Sequence, residues 1–112
     1  MAGLSKKFIL KIMKNFHNFC DETLNKLALA IEEKDQEAKF DVEYSDGILT
    51  ITVENGSKTY VINRHSATQK IWYSSPISGA DYFSYEEKSG KWLDSKGEEL
   101  EKKLFSELEN IL

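Results

Sequence analysis

The spacing of apolar residues changes near residue 40, and that change constrains the fold more than any other feature. The apolar positions before it are Phe8, Ile12, Phe16, Phe19, Cys20, Leu24, Leu27, Ala28 and Ile31. Their steps of three and four follow one face of a helix, so we predict a helix from about residue 6 to Ala38. From Phe40 onward, apolar and polar residues alternate, which is the period of a half-buried strand.

Turn signals divide the second half of the chain into short strands. The dipeptides at 46–47 (Asp-Gly) and 55–56 (Asn-Gly) favour tight hairpin turns. We predict strands at 40–45, 49–53, 58–63, 69–74, about 82–86 and 91–93, with a loop at 76–80. Helical spacing returns after Gly97, at Leu100, Leu104, Phe105, Leu108, Ile111 and Leu112.

Hairpins throughout imply an antiparallel sheet, and the two helices must cover one of its faces. The predicted fold is therefore α+β: a two-layer sandwich with two helices packed on one face of a five- to six-stranded antiparallel sheet. A length of 112 residues fits one domain. We expect that domain to span residues 13–112, with residues 1–12 as a basic N-terminal extension or the start of the first helix.

Charge is distributed unevenly along the chain. Its net charge is −4, and the first fifteen residues contain four lysines and no acid. Removing those four lysines from the net charge of −4 leaves −8 on the rest. Such a field repels nucleic acid and anionic lipid and attracts cations and basic protein surfaces, so we expect neither a nucleic acid nor a membrane as a partner.

Seven of the nineteen acidic residues lie in one segment, which we name the acidic ridge: residues 32–46 with the carboxylates Glu32, Glu33, Asp35, Glu37, Asp41, Glu43 and Asp46. Clustered carboxylates offer weak, oxygen-only sites to hard cations such as Fe²⁺, Mn²⁺, Ca²⁺ or Mg²⁺. No fixed ligand spacing is present, and the alternative is a solvated charged face that keeps the protein soluble.

Two tryptophans differ in their predicted roles. Trp72 alternates with Ile71 and Tyr73, so it is expected on the outer face of the sheet, where an aromatic residue can anchor a protein partner. The alternative is that a loop half-covers Trp72 and it only packs. Trp92 lies just before the second helix, and we expect it to be structural.

The sequence contains no sign of a catalytic centre. Neither His17 nor His65 has a cysteine or a second histidine at metal-ligand spacing, so a closed zinc site is not expected. No nucleophile motif is visible. The single cysteine, Cys20, is interpreted as a small buried hydrophobe rather than a reactive thiol, and a chain without internal disulfides fits a reducing compartment.

Several segments resemble the frataxin family, and its bacterial CyaY-type members in particular. They are 60–64 (YVINR), 71–76 (IWYSSP), Ser78-Gly79, 15–24 (NFHNFCDETL), 46–50 (DGILT), 55–58 (NGSK) and the closing segment 92–108. The resemblance covers about residues 16–112. It implies a helix–sheet sandwich, weak iron binding (Fe²⁺ or Fe³⁺) on the acidic ridge, and a role in iron–sulfur cluster assembly.

The resemblance also implies partners and site residues. The partners would be the cysteine desulfurase and the iron–sulfur scaffold protein, contacted through the acidic ridge and the sheet face. The implied metal ligands are Glu32, Glu33, Asp41 and Glu43, with Asp35, Glu37, Asp21, Glu22 and His17 as additions. The implied partner contacts are Asn63, Trp72, Arg64 and Lys70.

This reading leaves three functions open. The first is a non-enzymatic regulator or iron donor, the second an iron chaperone with ferroxidase activity, and the third an acidic adaptor for which metal is irrelevant. We expect a monomer, or an oligomer formed with iron. The location implied is the bacterial cytoplasm, with the mitochondrial matrix as the alternative.

His65, Lys70 and Tyr82 depart from residues common in the family, Tyr82 replacing an arginine that helps some members dock.

Overall fold

The structure is a computed structural model that describes residues 6–53 and 56–111, with side chains described from residue 15 onward. Its elements are α1 (Lys6–Lys34), β1 (Phe40–Ser45), β2 (Ile48–Val53), β3 (Thr59–His65), β4 (Lys70–Ser75), β5 (Gly79–Glu86), β6 (Lys91–Leu93) and α2 (Leu100–Ile111). The strands form one antiparallel sheet in the order β1-β2-β3-β4-β5-β6. The predicted fold class is confirmed.

The first helix ends four residues earlier than predicted, at Lys34 rather than Ala38. Both carboxylate oxygens of Asp35 accept backbone N–H groups, from Lys39 and Phe40, at 2.8 Å each. Ala38 takes a left-handed conformation with φ of 54°. The Asp35 side chain therefore closes a tight turn into β1, in place of the last helical turn that the apolar spacing predicted.

The fifth strand begins three residues earlier than predicted. The Ser-Pro-Gly composition of this region indicates a loop, but Gly79 and Ala80 pair with Ser75 and Ser74 in the β4–β5 ladder. The connecting loop is therefore only residues 76–78. The predicted turn at 55–56 lies partly outside the described residues, because Asn55 is not among them.

The core lies between the sheet and the helices. Alternate strand residues point into it, and its members are Cys20, Leu24, Leu27, Ala28, Ile31, Leu49, Ile51, Tyr60, Ile62, Ile71, Tyr73, Phe83, Trp92, Leu100, Leu104 and Leu108. Burial raises the pKa of the Cys20 thiol to about 12, so the thiol stays protonated and unreactive at neutral pH. This agrees with its interpretation as a buried hydrophobe.

A buried carboxylate from α2 joins the two layers. Glu107 accepts hydrogen bonds from the hydroxyls of Tyr60 at 3.2 Å, Tyr73 at 3.0 Å, Ser78 at 3.0 Å and Ser75. We call this set the Glu107 hub. Burial, with the nearby Glu107 charge, raises the pKa of Tyr60 to about 12 and that of Tyr73 further, so both phenols remain donors at any ordinary pH.

A second polar link joins α1 to β1 and β3. Asp21 accepts hydrogen bonds from the Tyr44 hydroxyl at 2.5 Å and from Arg64 Nη1 at 3.0 Å. The guanidinium lies directly over Gly47 of the first hairpin, since a Cβ atom placed on Gly47 would come within 2.7 Å of Arg64 Cζ. Gly47 also has φ of +80°, so this turn requires glycine both for its conformation and for space.

Replacing Gly47 by alanine is expected to destabilise the protein by roughly 2–3 kcal/mol. About half of that loss is left-handed strain, and the rest comes from moving Arg64 off its site. Gly97 is the matched control, because its φ is +82° and a Cβ there would meet no atom within 4 Å. Gly97→Ala should therefore lower the free energy of unfolding, measured with urea, only by the part that is due to left-handed strain. Equal losses for the two variants would contradict the role given to Arg64.

Candidate functional site

The edge of the sheet at β1 carries free carboxylates on both sides. Asp41 and Glu43 are exposed and alternate with the inward-facing residues of β1, so they lie on the outer face of this edge strand. Glu32 and Glu33 are exposed in the last turns of α1, which packs on the inner face of the sheet next to β1. None of the four makes a hydrogen bond or ion pair with another described residue. They are available to a cation or a basic partner.

Two other predicted ligands of the acidic ridge have local partners. Both oxygens of Asp35 are used by the turn into β1. Glu37 lies 3.3 Å from the Lys39 ammonium, which partly neutralises it. The structure therefore gives Asp35 a structural task and makes Glu37 a weaker ligand than the four free carboxylates.

The predicted ligands on α1 form a separate group. His17 Nε2 lies 3.4 Å from Asp21, whose carboxylate is already held by Arg64 and Tyr44. Glu22 is exposed, with no partner among the described residues. Throughout the described part of the chain, no three His, Cys, Asp or Glu side chains are grouped so that they could hold a metal ion.

The acidic ridge has seven carboxylates and only two lysines, Lys34 and Lys39. The Lys34 ammonium lies 4.2 Å from the centroid of the Phe105 ring on α2, directed toward the other helix. Lys39 is engaged with Glu37. The potential at the β1 edge is therefore negative, which favours approach of cations and basic surfaces.

The outer sheet face carries an aromatic cluster at its centre. Trp72 pairs with Asn63 on one side and with Tyr82 on the other. The Tyr82 ring lies 4.8 Å from that of Trp72 and 5.3 Å from that of His65, and the Lys70 ammonium is 5.9 Å from its centroid. We define the Trp72 face as these five residues. Trp72 is partly exposed, in agreement with its predicted orientation.

The central position of Tyr82 on this face was not predicted from the sequence. Sequence reasoning treated Tyr82 only as a departure from the family pattern. The signal was present, since Tyr82 alternates with the buried Phe83 and so must face outward. What the sequence lacked was the register that sets Tyr82 beside Trp72.

Arg64 does not lie on this face. It follows Asn63 in β3, so its side chain points to the opposite layer, where it pairs with Asp21 at 3.0 Å and is 15% exposed. Arg64 therefore makes a structural contact with α1, and its implied role as a partner contact stays a prediction. Lys70, by contrast, is on the outer face as expected.

Comparison with known proteins identifies the family. Residues 11–112 match the family model described as a frataxin-like domain. The chain belongs to the frataxin family. Among curated relatives, mitochondrial frataxin of Dictyostelium discoideum is 38% identical over 101 residues, covering 86% of this chain and 51% of the relative. Mitochondrial frataxin of Caenorhabditis elegans is 43% identical over 75 residues, covering 66% and 54%. The chain thus spans about half the length of these curated relatives.

Solved frataxins share the architecture described above. Frataxin from Psychromonas ingrahamii, a protein of the CyaY family, superposes with a TM-score of 0.73 at 25% identity, covering 86% of this chain and 87% of its own. Trimeric frataxin from Saccharomyces cerevisiae, complexed with ferrous iron, gives 0.70 at 32% identity, covering 82% and 83%. The frataxin fold predicted from the sequence is confirmed, but a specifically bacterial type is not.

The comparisons also bear on location. The curated frataxins named above are mitochondrial, which fits the alternative location rather than the bacterial cytoplasm. Within the described residues, no helix combines the length and the apolar character needed to cross a membrane.

Proposed function

We propose that this frataxin binds iron weakly and acts as a regulator or iron donor in iron–sulfur cluster assembly. It docks on the complex of cysteine desulfurase and scaffold protein through the acidic ridge and the Trp72 face. The observation that carries the proposal is the set of four free carboxylates on either side of the β1 edge, Glu32, Glu33, Asp41 and Glu43. Residues 13–112 form the domain that carries this function.

Iron is the cargo of this site, and the donor chemistry is suitable for it. Exposed carboxylates supply hard oxygen ligands that suit Fe²⁺, and without a grouped set of ligands the ion exchanges readily. Ready exchange is what a donor or sensor requires. A related yeast frataxin is described as complexed with ferrous iron, which supports the same cargo for this chain.

Charge provides the regulatory step. The free carboxylates attract a basic patch on the desulfurase, and each bound Fe²⁺ cancels two negative charges at the same edge. Iron loading therefore weakens the attraction between frataxin and desulfurase. The two ligands compete, and the occupancy of the acidic ridge by iron sets how much frataxin is bound to the assembly complex.

A ferroxidase centre is less well supported than a regulator. Coupled oxidation of two irons uses bridging carboxylates with histidine ligands held on a rigid core. In the described residues the free carboxylates lie at an exposed edge, and His17 is next to an Asp21 that is already engaged. We therefore propose a protein that acts without catalysing a reaction of its own.

Relatives guide the proposals on assembly and location. The yeast structures are described as trimeric, so we propose a monomer that oligomerises when iron accumulates on the acidic ridge. The mitochondrial matrix is favoured over the bacterial cytoplasm because the curated relatives are mitochondrial.

Reversing two charges of the acidic ridge should remove docking. We expect Glu32→Lys/Glu33→Lys to weaken binding to the purified desulfurase–scaffold complex at least tenfold, because like charges would then face the basic patch. The matched control is Glu86→Lys/Glu87→Lys, an exposed pair at the opposite end of the sheet with the same charge change. Calorimetric titration of the two variants distinguishes a docking site from a general effect of net charge.

Iron binding can be tested at the same residues. Under anaerobic conditions, Fe²⁺ should selectively broaden ¹⁵N amide signals in residues 32–43, and the desulfurase should perturb the same signals. Prior loading with Fe²⁺ should then weaken desulfurase binding. If partner binding persists while Fe²⁺ leaves these signals unchanged, the acidic adaptor replaces the iron-dependent regulator.

A further inference from the structure

The hairpin between β4 and β5 carries no charge at its tip. Residues 74–80 (SSPISGA) contain no ionisable side chain in a chain that is 30% charged. At its centre Ile77 is 50% exposed. A single exposed isoleucine is ordinary on a protein surface, so the question is whether its surroundings distinguish it.

The loop that carries Ile77 is held from two sides. Ser75 Oγ accepts the backbone N–H groups of Ile77 and Ser78, both at 3.0 Å. The Ser75 and Ser78 hydroxyls in turn donate to Glu107 on α2. The conformation of residues 76–78 is thus fixed by a buried carboxylate on the opposite side of the sheet. A fixed loop loses little conformational entropy when a partner binds it.

The loop continues the Trp72 face. Trp72 and Tyr82 form one outward pair, and the next outward pair is Ser74 and Ala80, immediately before the turn. Trp72 and the end of β4 are three residues apart, roughly 10 Å along the strand. The uncharged surface therefore runs from the aromatic cluster to the tip of the hairpin without interruption.

We propose that Ile77 is an apolar anchor, presented by the fixed loop 76–78, which inserts into an apolar cleft on the same protein that covers the Trp72 face. This inference rests on the proposed function and adds to it a contact outside both predicted docking surfaces. Residues 76–80 are exposed, so a partner that buries Ile77 must offer a cleft at this position. Since the segment is uncharged, the cleft must be apolar.

A protein is a better occupant than a membrane. Burial of one isoleucine side chain gives only about 1.5–3 kcal/mol, which is too little to hold a protein on a bilayer. The carboxylates Asp41 and Glu43 on the same outer face would also be repelled by anionic lipid. In a protein complex, by contrast, the same energy adds to contacts already made by Trp72 and the acidic ridge.

The test is Ile77→Asp, titrated against the purified desulfurase–scaffold complex. We expect affinity to fall about tenfold to a hundredfold, with the free energy of unfolding unchanged. The loss should be the same at low and high salt because the contact is apolar, whereas the effect of Glu32→Lys/Glu33→Lys should shrink as salt rises. Asn110→Asp is the charge-matched control, since Asn110 is exposed on α2, away from the acidic ridge and the outer sheet face, and this change should leave affinity unchanged.

The outcomes separate this inference from the proposed function. If Ile77→Asp binds like the native chain while Glu32→Lys/Glu33→Lys does not, the anchor is wrong and the docking function stands. If the native chain does not bind the complex at all, both are wrong. Sedimentation with phosphatidylcholine–phosphatidylglycerol vesicles that is lost in Ile77→Asp would assign the anchor to a lipid surface and overturn the protein partner.

Discussion

Glu107→Leu is expected to lower the free energy of unfolding by about 3–5 kcal/mol, a large part of the stability of a domain this size. Leucine fits the apolar stripe of α2 beside Leu104 and Leu108, so little packing is lost. The loss arises because the hydroxyls of the Glu107 hub lose their acceptor. Two of these donors, Tyr60 and Tyr73, are 0% exposed, so water cannot replace the carboxylate.

Urea unfolding followed by circular dichroism measures this effect, and Glu109→Leu is the matched control. Glu109 is exposed on the same helix, and its replacement should change stability by no more than about 0.5 kcal/mol. Removing the stranded donors should restore part of the loss, so Glu107→Leu combined with Tyr60→Phe and Tyr73→Phe should be more stable than Glu107→Leu alone. A triple variant less stable than the single variant would show that packing, not hydrogen bonding, sets the cost.

The two tryptophans are expected to respond in opposite ways to replacement by alanine. Trp92 is 5% exposed, and its indole N–H donates to Thr23 Oγ1 at 3.0 Å. Its ring also contacts Phe16 and Tyr85, with centroids 6.2 and 5.3 Å away. Trp92→Ala should therefore cost about 3–5 kcal/mol in unfolding free energy.

Trp72→Ala provides the internal comparison. Trp72 lies on the outer face against Tyr82, so its loss should cost about 1 kcal/mol or less. Affinity for the desulfurase–scaffold complex should nevertheless fall at least tenfold, as expected for an interface anchor. Thermal unfolding and calorimetric binding on both variants provide the measurements. A Trp72→Ala variant that is strongly destabilised but binds normally would favour the alternative that Trp72 only packs.

Much of the fold followed from the period of the apolar residues. The helix-to-strand change near Phe40 and the turn at Gly47 were predicted, because both depend on local sequence. The helix end was not predicted, since it is decided by the Asp35 side chain, which accepts the backbone N–H groups of Lys39 and Phe40 in the turn. The start of β5 was not predicted either, because Ala80 joins the ladder through pairing with Ser74 rather than through its own propensity.

The candidate site was predicted less completely than the fold. The free carboxylates could be named from the sequence, but their availability could not. Only three-dimensional contacts show that Asp21 is committed to Arg64 and that Asp35 closes a turn. The Glu107 hub was missed, although Glu107 occupies a position on the apolar face of α2, between Leu104 and Leu108. A carboxylate within an apolar stripe is expected to be buried, and a buried carboxylate needs hydrogen-bond donors. The sequence does not show which donors these are, because they lie far from Glu107 along the chain.

The sequential order of the sheet has a consequence for folding kinetics. Each strand pairs with the strand before it in the chain, so the sheet can form by successive closure of short hairpins, a topology of low contact order that favours rapid folding. The acceptor for the buried phenols of β3 and β4 comes from α2, after all the strands. During synthesis on the ribosome, a nascent sheet would therefore hold unpaired hydroxyls until α2 emerges. We expect the cooperative folding step to await that helix.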